Sequence, residues 1–594
     1  MQRQQFPFAR TILCTITLLV AGHVSAGTEH DHDDDGDLAL REFAEQRIEW
    51  RDEHLPPGAD PSAWLKVRIL SINDFHGQIS AGRLVSNRPV GSAAVLASYL
   101  KNAQQDMEDQ TIIAHAGDHV GASPPESALL QDEPAISFLN LLGDDECHYR
   151  RRQNPRCNLV GTLGNHEFDE GRDELMRLLD GGNHANGPFL DDPWRGTTFP
   201  YVSANVVNAT TGRPILPPYV IKQVHGMRIA FIGAVLEDTP TIVTPTGVVG
   251  LKFLDEAEAI NGYIPELRRE QVRAIVVLIH QGGRQTTYQG TTQDPASAIT
   301  GDQILDIVSR LDDEVDVVVS GHAHSFTNAL VPNANGKQIL LTQAFSSGTA
   351  FGQIDLSLDP ATKDVVEKSA SIVTTYADEG PGLTPDEDVA EMVAAAEAKV
   401  APLVNQVIGD AATDILRAQN AAGESPLGNL IADAQRTALT TDFAFMNPGG
   451  IRADLFAGPV TFGELFTVQP FGNSLVKMEL TGQQIYDLLN QQWLNQPFAR
   501  ILQVSGLTYT WDNNLPVGDR IVEVRKDGTP IDKTATFTVT ANSFIAAGGD
   551  NFTVFTQGAN QQGGPVDLDA LIAYLQGLPQ PFGAPAVNRI TRLN

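Results

Sequence analysis

Leu65-Lys66-Val67-Arg68-Ile69-Leu70-Ser71-Ile72, followed at once by Asn73-Asp74-Phe75-His76-Gly77, is the stretch on which the reading of the fold turns. A β-type run leads straight into a polar cluster closed by a glycine, which reads as a strand and the loop at its carboxyl end. The same arrangement returns along the chain. Strands are expected at 65–72, 110–115, 157–163, 228–235, 273–279, 315–319 and 338–342, with amphipathic stretches between them. Strands alternating with crossover helices predict a layered α/β domain, placed at residues 64–375.

Five polar clusters close these strands: Asn73-Asp74-Phe75-His76-Gly77, Gly117-Asp118-His119, Gly164-Asn165-His166-Glu167-Phe168-Asp169, His280-Gln281-Gly282-Gly283 and Gly321-His322-Ala323-His324. In an α/β sheet such strand ends converge on one rim. Carboxylate, amide and imidazole donors without a thiolate suit hard to borderline divalent cations and exclude a thiolate zinc finger. One Asp-x-His or His-x-His arises often by chance, and a lone histidine at a strand end is more often structural. Five fragments in this order, each closing a strand, form a joint signal.

The order of these motifs resembles that of the calcineurin-like metallophosphoesterases, and specifically the 5'-nucleotidases, over residues 65 to 590. The resemblance implies two divalent ions, with Zn, Mn, Mg and Ca all suited to the donors. It gives the first Asp74, His76, Asp118 and His324, and the second Asp118, Asn165, His280 and His322, with Asp118 as the bridge. Some members carry glutamine where this chain has His324. The catalytic pair is implied at His166 and Asp169, the aspartate orienting and charging the imidazole. His119 matches no such role and is read as supporting or structural.

Beyond about residue 408 the chain changes style, with glycine-rich turns and late β-type runs such as Thr536-Phe537-Thr538-Val539-Thr540, which predicts a separate α+β domain at 408–594. Residues 376–407 are read as a linker with a long alanine-rich helix that Thr384 can cap. By the same resemblance this half binds substrate and turns against the first about that helix. Phe471 and Phe544 match the pair that sandwiches a nucleobase, Asp550 a carboxylate for ribose hydroxyls, Asn447 a base or sugar contact and Arg452 a grip on the anionic part. The bland alternative for the phenylalanines is core packing, yet both precede glycine-rich loops. Pro426 stands where some members have a further arginine, which weakens the case for diphosphate-type substrates.

With 594 residues, 42% hydrophobic and 19% charged, the chain has apolar material for more than one core. Its 41 Lys+Arg against 73 Asp+Glu give a formal net charge of -32, a field that repels nucleic-acid polymers and anionic membranes. A small phosphate ester then needs a locally positive site. Residues 1–26 read as a signal peptide, with Arg3 and Arg10 before an apolar run and Val24-Ser25-Ala26 before the cut. Cys14, preceded by Leu13, makes a poor lipoprotein signal, and the C-terminus has no hydrophobic anchor tail. An acidic, partly disordered leader at 27–63 follows, and a periplasmic or extracellular location is expected. There a disulfide between Cys147 and Cys157, pinning Tyr149-Arg150-Arg151-Arg152, is the expectation, the alternative being two unpaired buried thiols. The function read from all this is a secreted hydrolase of nucleoside 5'-monophosphates. Rival readings are a 2',3'-cyclic-nucleotide 2'-phosphodiesterase/3'-nucleotidase, a nucleoside diphosphate-sugar hydrolase, a thiosulfohydrolase, which has no use for a base sandwich, and a catalytically silent nucleotide-binding protein. No heptads or other assembly signal are present.

Overall fold

The structure, a computed structural model, describes residues 61–285 and 299–594. The signal peptide, Cys14 and the leader up to residue 60 lie outside the described residues. The strands of the opening pattern form two six-stranded sheets. The first has the order Val365–Thr374, Ala350–Leu358, Leu65–Ile72, Thr111–Ala116, Leu159–Thr162, Tyr201–Val202. Pairing is parallel from Leu65–Ile72 onward and antiparallel through the two returning strands. The second has the order Phe326–Pro332, Gln338–Ala344, Val315–Ser320, Ala274–His280, Met227–Val235, Tyr219–Val224, parallel in its middle and antiparallel at both edges.

Alternate parity within one strand feeds two cores, which is why Ala274-Ile275-Val276-Val277-Leu278-Ile279 is apolar throughout. Val276 and Leu278 enter the layer between the sheets with Ile69, Ile112, Phe231 and Val317. Ile275, Val277 and Ile279 face outward, under Ile260, Ile264, Ile304 and Val308 of the helices Glu256–Arg269 and Asp302–Arg310. On the far side of the first sheet, Leu70, Ile72 and Ile113 pack under Leu96, Phe138 and Leu175 of three further helices. The result is a four-layered helix, sheet, sheet, helix sandwich. Strand bounds differ from expectation by a residue or two. The strand expected at 157–163 spans Leu159–Thr162, because Cys157 closes a ten-residue loop through its disulfide to Cys147.

The long helix runs from Glu387 to Val404, and its cap is Asp386, whose carboxylate accepts from Val389 N at 3.2 Å. Thr384 is not the cap: its hydroxyl bonds back to Pro381 O, and Asp386 sits one residue before the first helical turn. Val389, Ala396 and Val400 of this helix belong to the first core. Beyond it, a five-stranded sheet runs Gln503–Ser505, Phe443–Met446, Thr536–Asn542, Ser474–Thr481, Ala559–Val566. One apolar cluster joins it to the helices Pro426–Leu439 and Asp567–Gly577, and another includes Trp493, Tyr509 and Trp511.

Gly161, paired to both neighbouring strands, leaves the space that the buried His115 ring fills: a Cβ there would fall inside that ring. His115 is packed in turn against Tyr201 and His119. Gly161→Ala is therefore expected to destabilise the fold by about 1–3 kcal/mol or more, read as a lowered midpoint of thermal unfolding, since neither strand nor ring has room to yield.

Candidate active site

The carboxyl ends of the parallel strands bring the five clusters to one rim, as the strand order requires. Asp74, His76, Asp118, His322 and His324 all have left-handed backbone, with φ of 49°, 51°, 46°, 72° and 48°. Non-glycine residues adopt this conformation sparingly, and such strain persists where the surrounding structure dictates it. Here the turns wrap the strand ends so that five side chains aim at one point. Glycines make the approach possible: a Cβ at Gly164 would strike Asp118 Oδ1.

Asp74 and Asp118 are 0% and 1% exposed. Asp74 accepts from His322 N at 2.9 Å to both oxygens and from Asn73 Nδ2 at 2.7 Å. Asp118 Oδ1 accepts from His166 N at 2.8 Å, and Oδ2 lies 2.9 Å from His280 Nε2. Burial alone would raise the Asp118 carboxyl, but His280, His166 and His76 hold it well below the usual carboxylate range. Burial pushes His280 down, yet Asp118 and Asp74 outweigh it and raise it to about 10, so the buried carboxylates draw positive charge to this point. Burial and then His280 push His322 down to about 4, keeping that imidazole neutral.

Divalent ions are what the resemblance implies, and the donor set fits them. His76 Nδ1 and His280 Nδ1 each donate to a carbonyl, Gly121 O at 2.9 Å and Ala116 O at 2.8 Å, which turns both Nε2 atoms toward the centre. His76 Nε2 and His324 Nε2 stand 3.0 Å apart. Asn165 Oδ1 is buried without a hydrogen-bond partner. Asp74, His76 and His324 form one cluster of potential ligand atoms, and Asp118, His280 and His322 another. His324 is the outlier in burial, with its side chain 39% exposed.

His166 stands beside these clusters, its Nδ1 donating to Asp169 Oδ2 at 2.7 Å. Burial disfavours its charged form, but Asp169 and Asp118 prevail and the pKa is raised. His119 is elsewhere: its Nε2 donates to Ala135 O at 2.7 Å and its ring stacks on Phe75 at 4.9 Å, a packing role.

A cavity of about 960 Å³ opens onto this rim. Asn165, His166, Asp169 and His322 line it together with Asn447, Arg452, Phe471, Phe544 and Asp550, so every residue singled out for substrate in the sequence shares this space with His166 and Asp169. Phe471 stacks on His166 at 5.8 Å, with the Arg452 guanidinium 5.8 Å from its ring. Asp550 accepts from Asn447 Nδ2 at 3.0 Å, and Asn447 from Asn542 Nδ2 at 2.9 Å. Pro426 is the first residue of the helix Pro426–Leu439, capped by Ser425, where its missing N–H costs nothing.

Two contributors were missed in the sequence. Glu167 accepts from the backbone N–H groups of Asp118, His119 and Gly164 at 3.0, 2.9 and 2.5 Å, tying two strand ends together. Burial, then Asp118, raises it to about 7. Its place between His166 and Asp169 was the available signal. Arg417 is exposed at the edge of the second half; burial pushes down Arg83 and Arg452, and repulsion from Arg417 adds to it in both. An isolated arginine in so acidic a chain was the only hint.

Residues 67–326 match the family described as calcineurin-like phosphoesterase, and residues 406–557 the one described as 5'-nucleotidase, C-terminal domain. Endonuclease YhcR of Bacillus subtilis is 38% identical over 539 residues, which cover 89% of this chain and 41% of that protein. Cell wall protein Lmo0130 of Listeria monocytogenes is 35% identical over 549 residues, 86% of this chain and 67% of that one. The chain thus spans less than half of the Bacillus relative. Among solved structures, a 5'-nucleotidase precursor from Thermus thermophilus superposes with a TM-score of 0.71 at 29% identity, covering 89% of this chain and 100% of that one. Fold and donor set together define a metal-dependent phosphoester hydrolase. The chain belongs to the 5'-nucleotidase family, a calcineurin-like phosphoesterase domain followed by a 5'-nucleotidase C-terminal domain.

Glu167→Ala leaves three backbone donors without their acceptor, each at a cost of about 1–3 kcal/mol. The expected outcome is a lower unfolding midpoint and an affinity for Mn or Zn reduced about 10- to 100-fold in a metal titration, with Glu167→Gln intermediate in both.

Proposed function

We propose that the protein is a two-metal 5'-nucleotidase that hydrolyses nucleoside 5'-monophosphates to nucleoside and phosphate. The observation that carries the reading is one cavity walled by the catalytic rim and by Phe471, Phe544, Asn447, Asp550 and Arg452. Asp74, His76, Asp118 and His324 would hold one divalent ion, and Asp118, Asn165, His280 and His322 the other. Bound there, the pair supplies Lewis acidity to the phosphoryl oxygens and the charge that the acidic chain lacks.

The chain's own residues do the rest. Water adds at phosphorus, the bond from phosphorus to the nucleoside 5'-oxygen breaks, and that oxygen leaves with a proton. His166, kept protonated at Nδ1 by Asp169, presents Nε2 to donate it. Arg452 offsets charge on the phosphate, the two phenylalanines grip the planar base from its faces, and Asp550 accepts from sugar hydroxyls. We also read the protein as exported to the periplasm or medium; among the described residues no helix is long and apolar enough to cross a membrane. N-terminal sequencing of the released protein starting at Gly27 supports export, and an intact Met1 overturns it.

The test is phosphate release from AMP, 3'-AMP, 2',3'-cyclic AMP, UDP-glucose and an aryl phosphate, with cleavage of a DNA oligonucleotide alongside, with and without EDTA. Fast, EDTA-sensitive release from AMP, with kcat about 10²- to 10⁴-fold lower in His166→Ala, is expected. Preference for the cyclic or 3' ester moves the assignment to the phosphodiesterase reading. No metal-dependent turnover of any of them removes the nucleotidase reading.

A further inference from the structure

Beyond the residues assigned so far, the cavity has a second aromatic feature. Residues 495–500 follow the helix Gly482–Asn490, and Asn495, Gln496, Phe498 and Arg500 from this loop line the same space as Phe471 and Phe544. Phe498 is 65% exposed, although the loop that carries it is firmly tied. Gln496 Nε2 donates to Asp550 O at 2.6 Å and to Gln491 O at 3.1 Å, and Asn551 Nδ2 donates to Asn495 O at 3.0 Å.

Arg500 joins the loop's two ends of interest. Its Nη1 donates to Gln496 Oε1 at 2.8 Å and lies 3.5 Å from Asp550 Oδ1, while its guanidinium carbon is 5.0 Å from the centre of the Phe498 ring. The side chain itself is 12% exposed. Asp550 and Asn551 have φ of 55° and 60°, so the carboxylate sits on a left-handed turn that the loop's hydrogen bonds clamp from one side. A held loop with an uncovered ring is a different object from a floppy one: the ring's position is set before anything covers it. A planar apolar ligand surface gains contact there at little ordering cost.

We propose that residues 495–500 are the nucleoside-reading loop, in which Phe498 supplies an aromatic contact to the base and Arg500 is a positioning residue that fixes the Asp550 carboxylate toward the sugar hydroxyls. The inference rests on the nucleotide reading of this cavity, and it adds where discrimination against base-free esters resides. Phe498 acts on base-bearing ligands through KM. Arg500 acts through Asp550, on ligands that carry the sugar diol.

The experiment compares kcat/KM for AMP and ribose 5-phosphate in wild type, Phe498→Ala, Phe498→Tyr and Arg500→Gln, together with the affinity of adenosine by calorimetry. Stacking of one base supports an effect of about tenfold. The AMP to ribose 5-phosphate ratio is expected to fall about tenfold in Phe498→Ala through KM, and to be kept in Phe498→Tyr, with adenosine binding weakened in parallel. Arg500→Gln is expected to weaken adenosine about as much as 2'-deoxyadenosine is weakened relative to adenosine in wild type. An unchanged ratio in Phe498→Ala, an equal loss in Phe498→Tyr, or an adenosine affinity that ignores both substitutions overturns the proposal. Adenosine affinity does not depend on which ester is cleaved, so the loop can fail while the nucleotidase assignment stands, and the assignment can fail in the substrate panel while the loop still reads nucleoside.

Discussion

Two carboxylates, Asp74 and Asp118, are withdrawn from water at the meeting point of two sheets, and most of what surrounds them answers that constraint. An ionised group in such a place must be met by donors or by cations. Backbone N–H groups of His322 and His166 supply part of the answer. The imidazoles, with their outer nitrogens pinned on carbonyls, leave the rest to positive charge arriving from outside the chain. The left-handed turns, the glycine against Asp118 and the Glu167 bridge between strand ends are then parts of one device that keeps these groups facing inward despite their mutual repulsion.

The same logic explains how a chain of net charge -32 can take an anion. Its long-range field opposes the substrate, so attraction has to be local. Arg452 is half-buried beside the site's carboxylates, with Arg417 and Arg83 near enough for their charges to be felt. The same cavity is lined by Phe471, Phe498 and Phe544, with Arg452 and Arg500 beside the rings.

Much of the sandwich was legible because a strand with both faces buried is apolar at every position, a signal that Ala274–His280 displays without interruption. The polar cluster closing each strand was equally plain, since no apolar core tolerates such residues without a reason. The returning strands Ala350–Leu358 and Val365–Thr374 were not identified, being less uniformly apolar, with Gln353, Asp355 and Glu367 among their residues. The cap of the long helix was misplaced by two residues because Thr384 and Asp386 carry equivalent local signals, and only the first turn's actual position chooses between them. Glu167 and Arg417 escaped for a deeper reason. One acts on backbone groups far away in sequence and the other on the charges of Arg83 and Arg452, and neither relation leaves a pattern in the neighbouring letters.

The helix Glu387–Val404 invites a last reading, in terms of inheritance. Its buried residues Val389, Ala396 and Val400 complete the core of the first half, so the segment that leads out of that half is also part of its wall. Its far end meets the second half at Val404, against Gly463. A gene cut just past this point would carry away a first half that already owns its covering helix, and would leave behind a second half with its own sheet and cores. Such a seam lets either piece be recombined with new neighbours without exposing the interior of the other.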